Sequence, residues 1–557
     1  MAPTTPNGGD SLGRASMFMA SGTLVSRVLG FISAIILART LGIVGSGADT
    51  FALANQLPNN VYAVIAGGVL SAVLVPHIVK AGLDKDGGQS FVNKIVTLGF
   101  VIFLAVAILA TLLAPALVAL YAQQGGVDGR GFSDQEMALA IAFAYWCLPQ
   151  VLFYALYSLL SEVLNARKVF GPFTWAPALN NVVAMTGLII FGIVFPGHDS
   201  ADAFAWTPAM VAVLAGSATL GVAAQAFILL AFWRRAGLGF RPDFAWRGVG
   251  LGRTGRAASW MFGMIVVVQI AGIVQANVAS LAAGTEAPSL AVLRFSWLIF
   301  MLPHSIVAVS LATAYFTRMS QHARDRDYGL VQQDFRESVG RIGFFMVLAQ
   351  TGLIVVALPF ARQFGIASDA IEAMGTVIVL YVLGLVPFSV LFVVQRVFYA
   401  LEDTRTPFFI QVFHATLFIS LALVVSTFPT ESIAFGLALS ATLAGSAQTL
   451  VALLVLRRKL GGLGLKILAK KFAYFALAAL PAGAAGVGIL VALGGRDPQG
   501  FLLSHAVNAG LGMGLITLAM TGIYVLLLAL ARSDDAASVL NPVLRRLGFR
   551  RGGNSSS

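Results

Sequence analysis

The chain has 557 residues, 58% of them hydrophobic and 11% charged, with a formal net charge of +12 and a mean hydropathy of +0.86. Soluble domains carry about 25% charged residues, so this composition excludes a water-soluble fold and predicts an all-α polytopic membrane protein, with runs long enough for helices rather than barrel strands. The lone cysteine, Cys147, sits in an apolar run; it excludes an intramolecular disulfide or a cysteine metal site and reads as a small packed hydrophobe.

Residues 1–14 are polar and rich in Pro and Gly, the composition of a disordered N-terminus. No secretory signal pattern follows, so the first apolar run is expected to be retained as a helix. A span needs roughly 20 residues. Fourteen candidates follow, at 15–41, 49–79, 95–121, 137–164, 172–196, 207–233, 258–283, 289–317, 338–362, 371–400, 406–428, 432–456, 472–493 and 503–531. Pro58 and Pro303 predict kinks in the second and eighth.

Fourteen spans put both termini on one side. With that side cytoplasmic, the outer loops hold only Arg130, Arg362 and Arg496, while Arg27, Arg39 and Arg294 fall within spans; the other 30 of the 36 Lys and Arg are inside. That bias is the positive-inside pattern of a plasma-membrane protein. It accounts for the basic charge without nucleic acid, and makes anionic membrane lipids the counter-surface. Between spans six and seven, residues 236–257 mix Phe240, Phe244 and Trp246 with four arginines, which predicts an interfacial linker. The segment from 533 to 557 reads as a basic cytoplasmic tail.

An internal repeat divides the chain. "LPNNVYAVIAGGVLSA" (57–72) matches "LPHSIVAVSLATAYFT" (302–317) in Leu-Pro, in Ala-Val and in an apolar residue three places after the proline, at an offset of 245. "LNARKVFGPF" (164–173) and "YALEDTRTPF" (399–408) form a second pair, with Pro172 and Pro407 offset by 235. Each pair lies six spans apart. The expected architecture is therefore two six-helix lobes, 15–235 and 258–458, of the same orientation and related by a pseudo-twofold axis along the membrane normal, followed by two C-terminal helices within 459–532.

Enzyme signatures are missing: no Walker A loop, H-E-x-x-H, G-x-S-x-G or cysteine cluster occurs. A transporter without cofactor, catalytic residue or metal is expected. His304 follows the span-eight proline and reads as a satisfied packing histidine. All 24 Asp and Glu fall in loops or near span ends, against a carboxylate-coupled antiporter. Uncharged polar residues cluster instead: Asn55, Gln56, Asn59 and Asn60 in span two, Asn180 and Asn181 in span five, and Gln269, Gln275 and Asn277 in span seven. They either line a wet cavity or bond helix to helix.

Arg27 lies twelve residues into the first span, about 18 Å deep at 1.5 Å per residue and close to the midplane of a ~30 Å core. That depth prevents easy snorkelling, and an intramembrane guanidinium is a natural phosphate ligand. Arg39 and Arg294 lie nearer the outer interface and read as snorkelling residues. Asp49, at the start of span two, is the nearest acid.

The stretches "SRVLGF" (26–31), "ADTFALANQLPN" (48–59), "GGVLSAVLVP" (67–76), "MLPHSIVAVSL" (301–311) and "FYALEDTRTP" (398–407) resemble the MurJ (MviN) family of lipid II flippases, within the superfamily that also holds multidrug and polysaccharide exporters. The resemblance implies two lobes around a central cavity, alternating access, and transfer of undecaprenyl-pyrophosphate-linked disaccharide pentapeptide from inner to outer leaflet. Arg27 matches the family's first cavity arginine and Asp49 its acid at the start of span two. Other family charges are replaced here by Ser33, Tyr62, Ala63, Leu298 and Met301; Arg294, one turn before Leu298, is placed to substitute in part. The expected substrate site is therefore Arg27, Asp49, Asn55, Gln56, Asn59, Gln269, Gln275, Asn277 and Arg294. Partners would be lipid II, membrane lipids and cell-wall synthesis proteins. Rival readings are a flippase for another lipid-linked saccharide, a multidrug exporter of the same fold, and a non-transporting scaffold for cell-wall enzymes.

Overall fold

The structure, a computed structural model, describes residues 8–66, 88–125, 129–245, 255–365, 367–497 and 499–531. The expected continuation of span two beyond 66, with "GGVLSAVLVP", the part of the linker that holds Trp246, and the basic tail lie outside the described residues. Among the described residues all regular structure is helical, apart from an isolated bridge between Gln124 and Phe132.

In chain order the α-helices are α1 (Gly8–Leu41), α2 (Ser46–Ala66), α3 (Gln89–Leu112), α4 (Ala114–Tyr121), α5 (Asp134–Cys147), α6 (Gln150–Ala166), α7 (Gly171–Val194), α8 (Pro208–Phe227), α9 (Gly255–Ser280) and α10 (Leu290–Pro303). There follow α11 (Val309–Arg324), α12 (Tyr328–Val355), α13 (Ala357–Phe364), α14 (Ser368–Val382), α15 (Leu385–Ala400), α16 (Arg405–Val425), α17 (Thr430–Leu460), α18 (Leu465–Ala492), α19 (Phe501–Ser504) and α20 (Ala506–Leu530). Among the described residues, twelve helical segments are long and apolar enough to cross a membrane, and the pair α14–α15, bent by 41°, makes a thirteenth. Of the fourteen expected spans, the remaining one is the second, of which α2 is the described part.

Helix ends follow sequence signals. Ser133 and Glu136 form a reciprocal capping box at the start of α5. Pro115, Pro172 and Pro208 occupy first-turn positions, where the missing N–H is no loss. α1 begins at Gly8, inside the segment expected to be disordered, because extending an existing helix needs no new nucleus. The two expected kinks differ. α2 runs on through Pro58. At Pro303 the helix widens into a π-turn over His304–Ala308, which absorbs the absent proline donor. His304 is buried there, with Nδ1 3.0 Å from Ser389 Oγ, as a packing histidine.

The chain forms two compact units. One comprises Met1–Phe295, Phe364–Ile366 and Gln411–Leu437. In it α1 and α8 both pack on α7, and glycines set the close approach: Gly22 lies under Trp175, Gly187 under Ser217 and Gly221 against Asn180. α3 and α6 share an apolar core of Val92, Ile95, Val96, Leu159, Leu160, Val163 and Leu164. The described part of the expected linker runs along α3, with the Arg241 and Asp243 backbone N–H groups donating to Asn93 Oδ1 (3.3 Å) and Thr97 Oγ1 (3.0 Å).

The second unit comprises Ser296–Gln363, Ala367–Ile410 and Ala438–Ser557. Its core joins α12, α18 and α20 through Phe344, Phe475, Ala482, Ile516, Met520 and Tyr524. The Tyr524 hydroxyl donates to Phe344 O at 2.9 Å, so the ring is buried without stranding its polar end. The two expected C-terminal helices thus belong to this unit.

Candidate substrate site

The candidate residues fall on four helices of the first unit, α1, α2, α9 and α10, and the geometry sorts them into different roles.

Asp49 lies in the first turn of α2 and is fully buried. Its Oδ1 accepts from Ala291 N at 2.9 Å, so it caps the N-terminus of α10 from a neighbouring helix. Its Oδ2 is enclosed without a hydrogen bond. One turn further along both helices, Arg294 Nη1 donates to Ala52 O at 3.0 Å. The snorkelling expected for Arg294 is corrected: its guanidinium turns to a backbone carbonyl of α2.

Around these lies a set that the candidate residues did not include. Ser46 Oγ donates to Glu136 Oε1 at 2.6 Å, and Ser133 N and Oγ donate to Glu136 Oε2 at 2.8 and 2.9 Å. Gly284, with φ of 71°, passes so close that a Cβ there would lie 2.1 Å from Glu136 Oε1. The Ser-x-x-Glu spacing at 133–136 is a legible helix-start signal; the tie to Ser46, ninety residues away, has no local signature.

Asn55 belongs to a helix-to-helix network. Its Oδ1 accepts from Gln150 Nε2 at 3.4 Å, which also donates to Thr219 Oγ1 at 2.9 Å, and Tyr154 OH donates to Gln150 Oε1 at 3.2 Å. Of the two readings offered by the polar cluster, Asn55 takes the structural one. Cys147, fully buried, packs beside it. Gln56 and Asn59, one turn apart on α2, have exposed side chains. On α9, Gln269 Nε2 donates to Asn60 O at 3.0 Å and Asn277 Nδ2 to Leu120 O at 2.6 Å, while Gln275 is half-buried. Asn181 on α7 donates to Ser26 O at 2.8 Å, holding α1 beside Arg27. Arg27 itself is half-buried, and its Nη1 is enclosed with no hydrogen-bond partner. Burying a guanidinium N–H unpaired is costly, so this atom is poised for an acceptor.

In the second unit, the "LEDTRTP" stretch is a helix start. Asp403 Oδ1 accepts from Thr406 N at 2.9 Å, and Oδ2 lies 2.5 Å from Lys459 Nζ at the end of α17. Burial alone would push the Asp403 carboxyl up, but the Lys459 ammonium and the Thr406 donors outweigh it and hold the carboxyl below the usual carboxylate range.

The family model described as "Lipid II flippase MurJ" matches residues 37–496. A protein of Haemophilus influenzae described as "Probable lipid II flippase MurJ" is 27% identical over 443 residues, covering 76% of this chain and 82% of the relative. One of Rhizobium meliloti with the same description is 27% identical over 446 residues, covering 77% of each. Among solved structures, a lipid II flippase MurJ in an inward closed conformation superposes with a TM-score of 0.67 at 19% identity, over 91% of this chain and 98% of that one. An inward-facing multidrug resistance MATE transporter reaches 0.50 at 16% identity, over 80% and 94%; at these identities both show the shared fold alone. With 460 consecutive residues inside the family model, the chain belongs to the lipid II flippase MurJ family.

Proposed function

We propose that this protein carries lipid II, the undecaprenyl-pyrophosphate-linked peptidoglycan precursor, from the inner to the outer leaflet of the bacterial plasma membrane by alternating access. Family membership supports the transported class. The single observation that carries the site reading is Arg27, whose enclosed Nη1 has no protein acceptor at a depth where only a ligand or trapped water can supply one. A pyrophosphate oxygen fits that donor, with the charge-assisted bonds a guanidinium makes to phosphate. Gln56 and Asn59 offer unshielded polar groups to the sugar-peptide headgroup, with Gln269 of α9 beside them at Asn60 O and Gln275 and Asn277 further along α9. Asp49 and Arg294 act behind them, holding α2 to α10.

The topology that fits the charge bias has both termini cytoplasmic, which puts the Asp49 end of α2 on the outer side. The contact between Asp49 and α10 then closes the outer end and must part for the headgroup to leave. The six-helix lobes at 15–235 and 258–458 are the bodies expected to rock, joined by the 236–257 linker. Cell-wall synthesis proteins are natural partners for the released precursor.

The test is complementation. A bacterial host is depleted of its resident lipid II flippase, this chain is expressed, and lipid II at the outer leaflet is followed with an externally added probe. Restored exposure that is lost in Arg27→Ala supports the proposal. No exposure from correctly inserted protein, in several hosts, would shift the reading to another lipid-linked saccharide. Exposure unchanged by both Arg27→Ala and Arg27→Lys would remove the pyrophosphate role.

A further inference from the structure

Two buried carboxylates, Asp49 and Glu136, stand side by side where the first turns of α2, α5 and α10 meet. Asp49 is 0% and Glu136 5% exposed. Ser46, one turn before Asp49 on the same face of α2, donates to Glu136, which brings the two acids within Coulombic reach. No ion pair reaches either acid among the described residues. On the loop whose Ser200 and Ala201 carbonyls accept from Gly47 N and Ser46 N, the exposed Asp199 and Asp202 accept from Ala201 N and Phe204 N, and His198 packs edge-on against Trp206. Arg294 gives its Nη1 to Ala52 O. Arg39 on α1 and Glu286 on the α9–α10 loop are exposed. Asp134 on α5 accepts from Gln124.

The two acids are solvated differently by the protein. Glu136 has donors on both oxygens, Ser46 Oγ on one and Ser133 N and Oγ on the other. That is the environment of an ionised carboxylate. Three helix N-termini converge beside it, and their dipoles favour a negative charge. Asp49 has Ala291 N on Oδ1; the Ser289 hydroxyl lies beside the carboxyl but gives its proton to Ala279 O at 3.1 Å, and the second oxygen is enclosed without a hydrogen bond. A charged oxygen left bare in the interior, beside a second anion, is the costlier of the two possible states. A neutral acid keeps the carbonyl oxygen that Ala291 needs and removes the like-charge repulsion.

We propose that Asp49 is a proton-binding site: it holds a proton in this conformation, beside an ionised Glu136, and releases it when the first turn of α10 withdraws from α2. The step is a simple dissociation. The Asp49 O–H bond breaks, its electron pair stays on the carboxylate, and the proton passes to water arriving at the α1–α2 loop; closure reverses it. Protons on that side therefore favour the conformation in which α10 is capped by Asp49. This goes beyond the transported substrate and does not depend on it, since every residue named belongs to one unit and none is required to touch lipid II in this state.

The experiment is infrared spectroscopy of the full-length protein in lipid vesicles at pH 7, with and without aspartate carrying carbon-13 in its side-chain carboxyl. The expected result is a carbonyl-stretch band of a protonated carboxylic acid that moves with the aspartate label and is absent from Asp49→Asn. Asparagine is isosteric and keeps an acceptor for Ala291 N, so the variant is expected to fold, as checked by circular dichroism and elution volume. A band that ignores the label, a parent without such a band, or one that persists in Asp49→Asn overturns the proposal. Should Asp49→Asn fail to fold, the labelled parent still decides: no label-sensitive band, no proton on an aspartate. Failure of lipid II exposure in the complementation assay would leave this result untouched.

Discussion

Asp49 Oδ1 and Ala291 N, 2.9 Å apart, close the N-terminus of one helix with the carboxyl of another. One turn on, Arg294 and Ala52 make the reciprocal contact. The repeat offset of 245 that aligns Leu57 with Leu302 also aligns Asp49 with Arg294. The duplication has therefore diverged to an acid at one copy of the position and a base at the other. Each reaches the backbone of the other copy's helix rather than its counterpart's side chain.

Removing the cap should loosen this junction. Asp49→Ala leaves Ala291 N buried without an acceptor and is expected to lower stability by about 1–2 kcal/mol. Asp49→Asn, which keeps an acceptor, should retain most of it. Thermal unfolding of the purified protein in one detergent distinguishes them; equal losses in the two variants would mean that capping is not what Asp49 contributes.

Gly284 offers a sharper steric test. A Cβ there would meet Glu136 Oε1 at 2.1 Å, and its φ of 71° is left-handed. Gly284→Ala should therefore pay both for backbone strain, about 1 kcal/mol, and for displacing the Glu136–Ser46 bond, about another 1–2 kcal/mol. Gly129 has a similar φ of 67° with nothing within 4 Å, so Gly129→Ala isolates the strain. The difference in melting temperature between the two variants measures the crowding at Glu136, and equal shifts would show that the carboxylate swings aside freely.

The polar residues of α2 should separate by role. Asn55→Ala removes one of the two acceptors of Gln150 Nε2, leaving the Gln150 bonds to Thr219 and Tyr154, and is expected to reduce stability by about 1 kcal/mol. Gln56→Ala and Asn59→Ala remove exposed groups and should leave stability within about 0.5 kcal/mol of the parent. Their effect is expected in transport: lipid II exposure should fall while the melting temperature holds. A parallel loss of stability in Gln56→Ala and Asn59→Ala would return them to the structural network.

The all-helical membrane fold was legible because span length is a local, additive property of sequence, and thirteen of the fourteen apolar runs recur as long apolar helices among the described residues. Arg27 stands out by the same kind of count, twelve residues into the first apolar run. The contacts that distinguish Asn55 from Gln56 were not legible. The two are adjacent in sequence, and which faces Gln150 depends on the rotation of α2 against α6. Glu136 was missed because it reads as a helix-start residue, which it is; its second bond to Ser46 exists only once α2 and α5 pack. Arg294 was misplaced because depth alone suggested an escape to the interface, whereas the Ala52 carbonyl on the neighbouring helix takes its Nη1 as a second donor.

The Asp403–Lys459 pair gives a pH dependence whose sign can be worked out. Asp403 is held below the usual carboxylate range in the folded protein, so between its folded and unfolded values the unfolded state binds more protons and stability rises with pH. The contribution is fully present above about pH 4–5, the range in which an unfolded aspartate is ionised, and is lost as pH falls through the lower folded value. Lys459 is partly exposed, which keeps the ion pair itself to about 1 kcal/mol or less, with the Thr406 cap adding a similar amount. The melting temperature of Asp403→Ala should therefore lie below that of the parent by a constant margin from pH 5 to 8, and the margin should shrink only in stronger acid. Lys459→Met should remove the ionic part and leave the cap, giving a smaller margin over the same range. A margin that instead opened or closed near neutral pH would show that another group, and not this carboxyl, governs the junction between α15, α16 and α17.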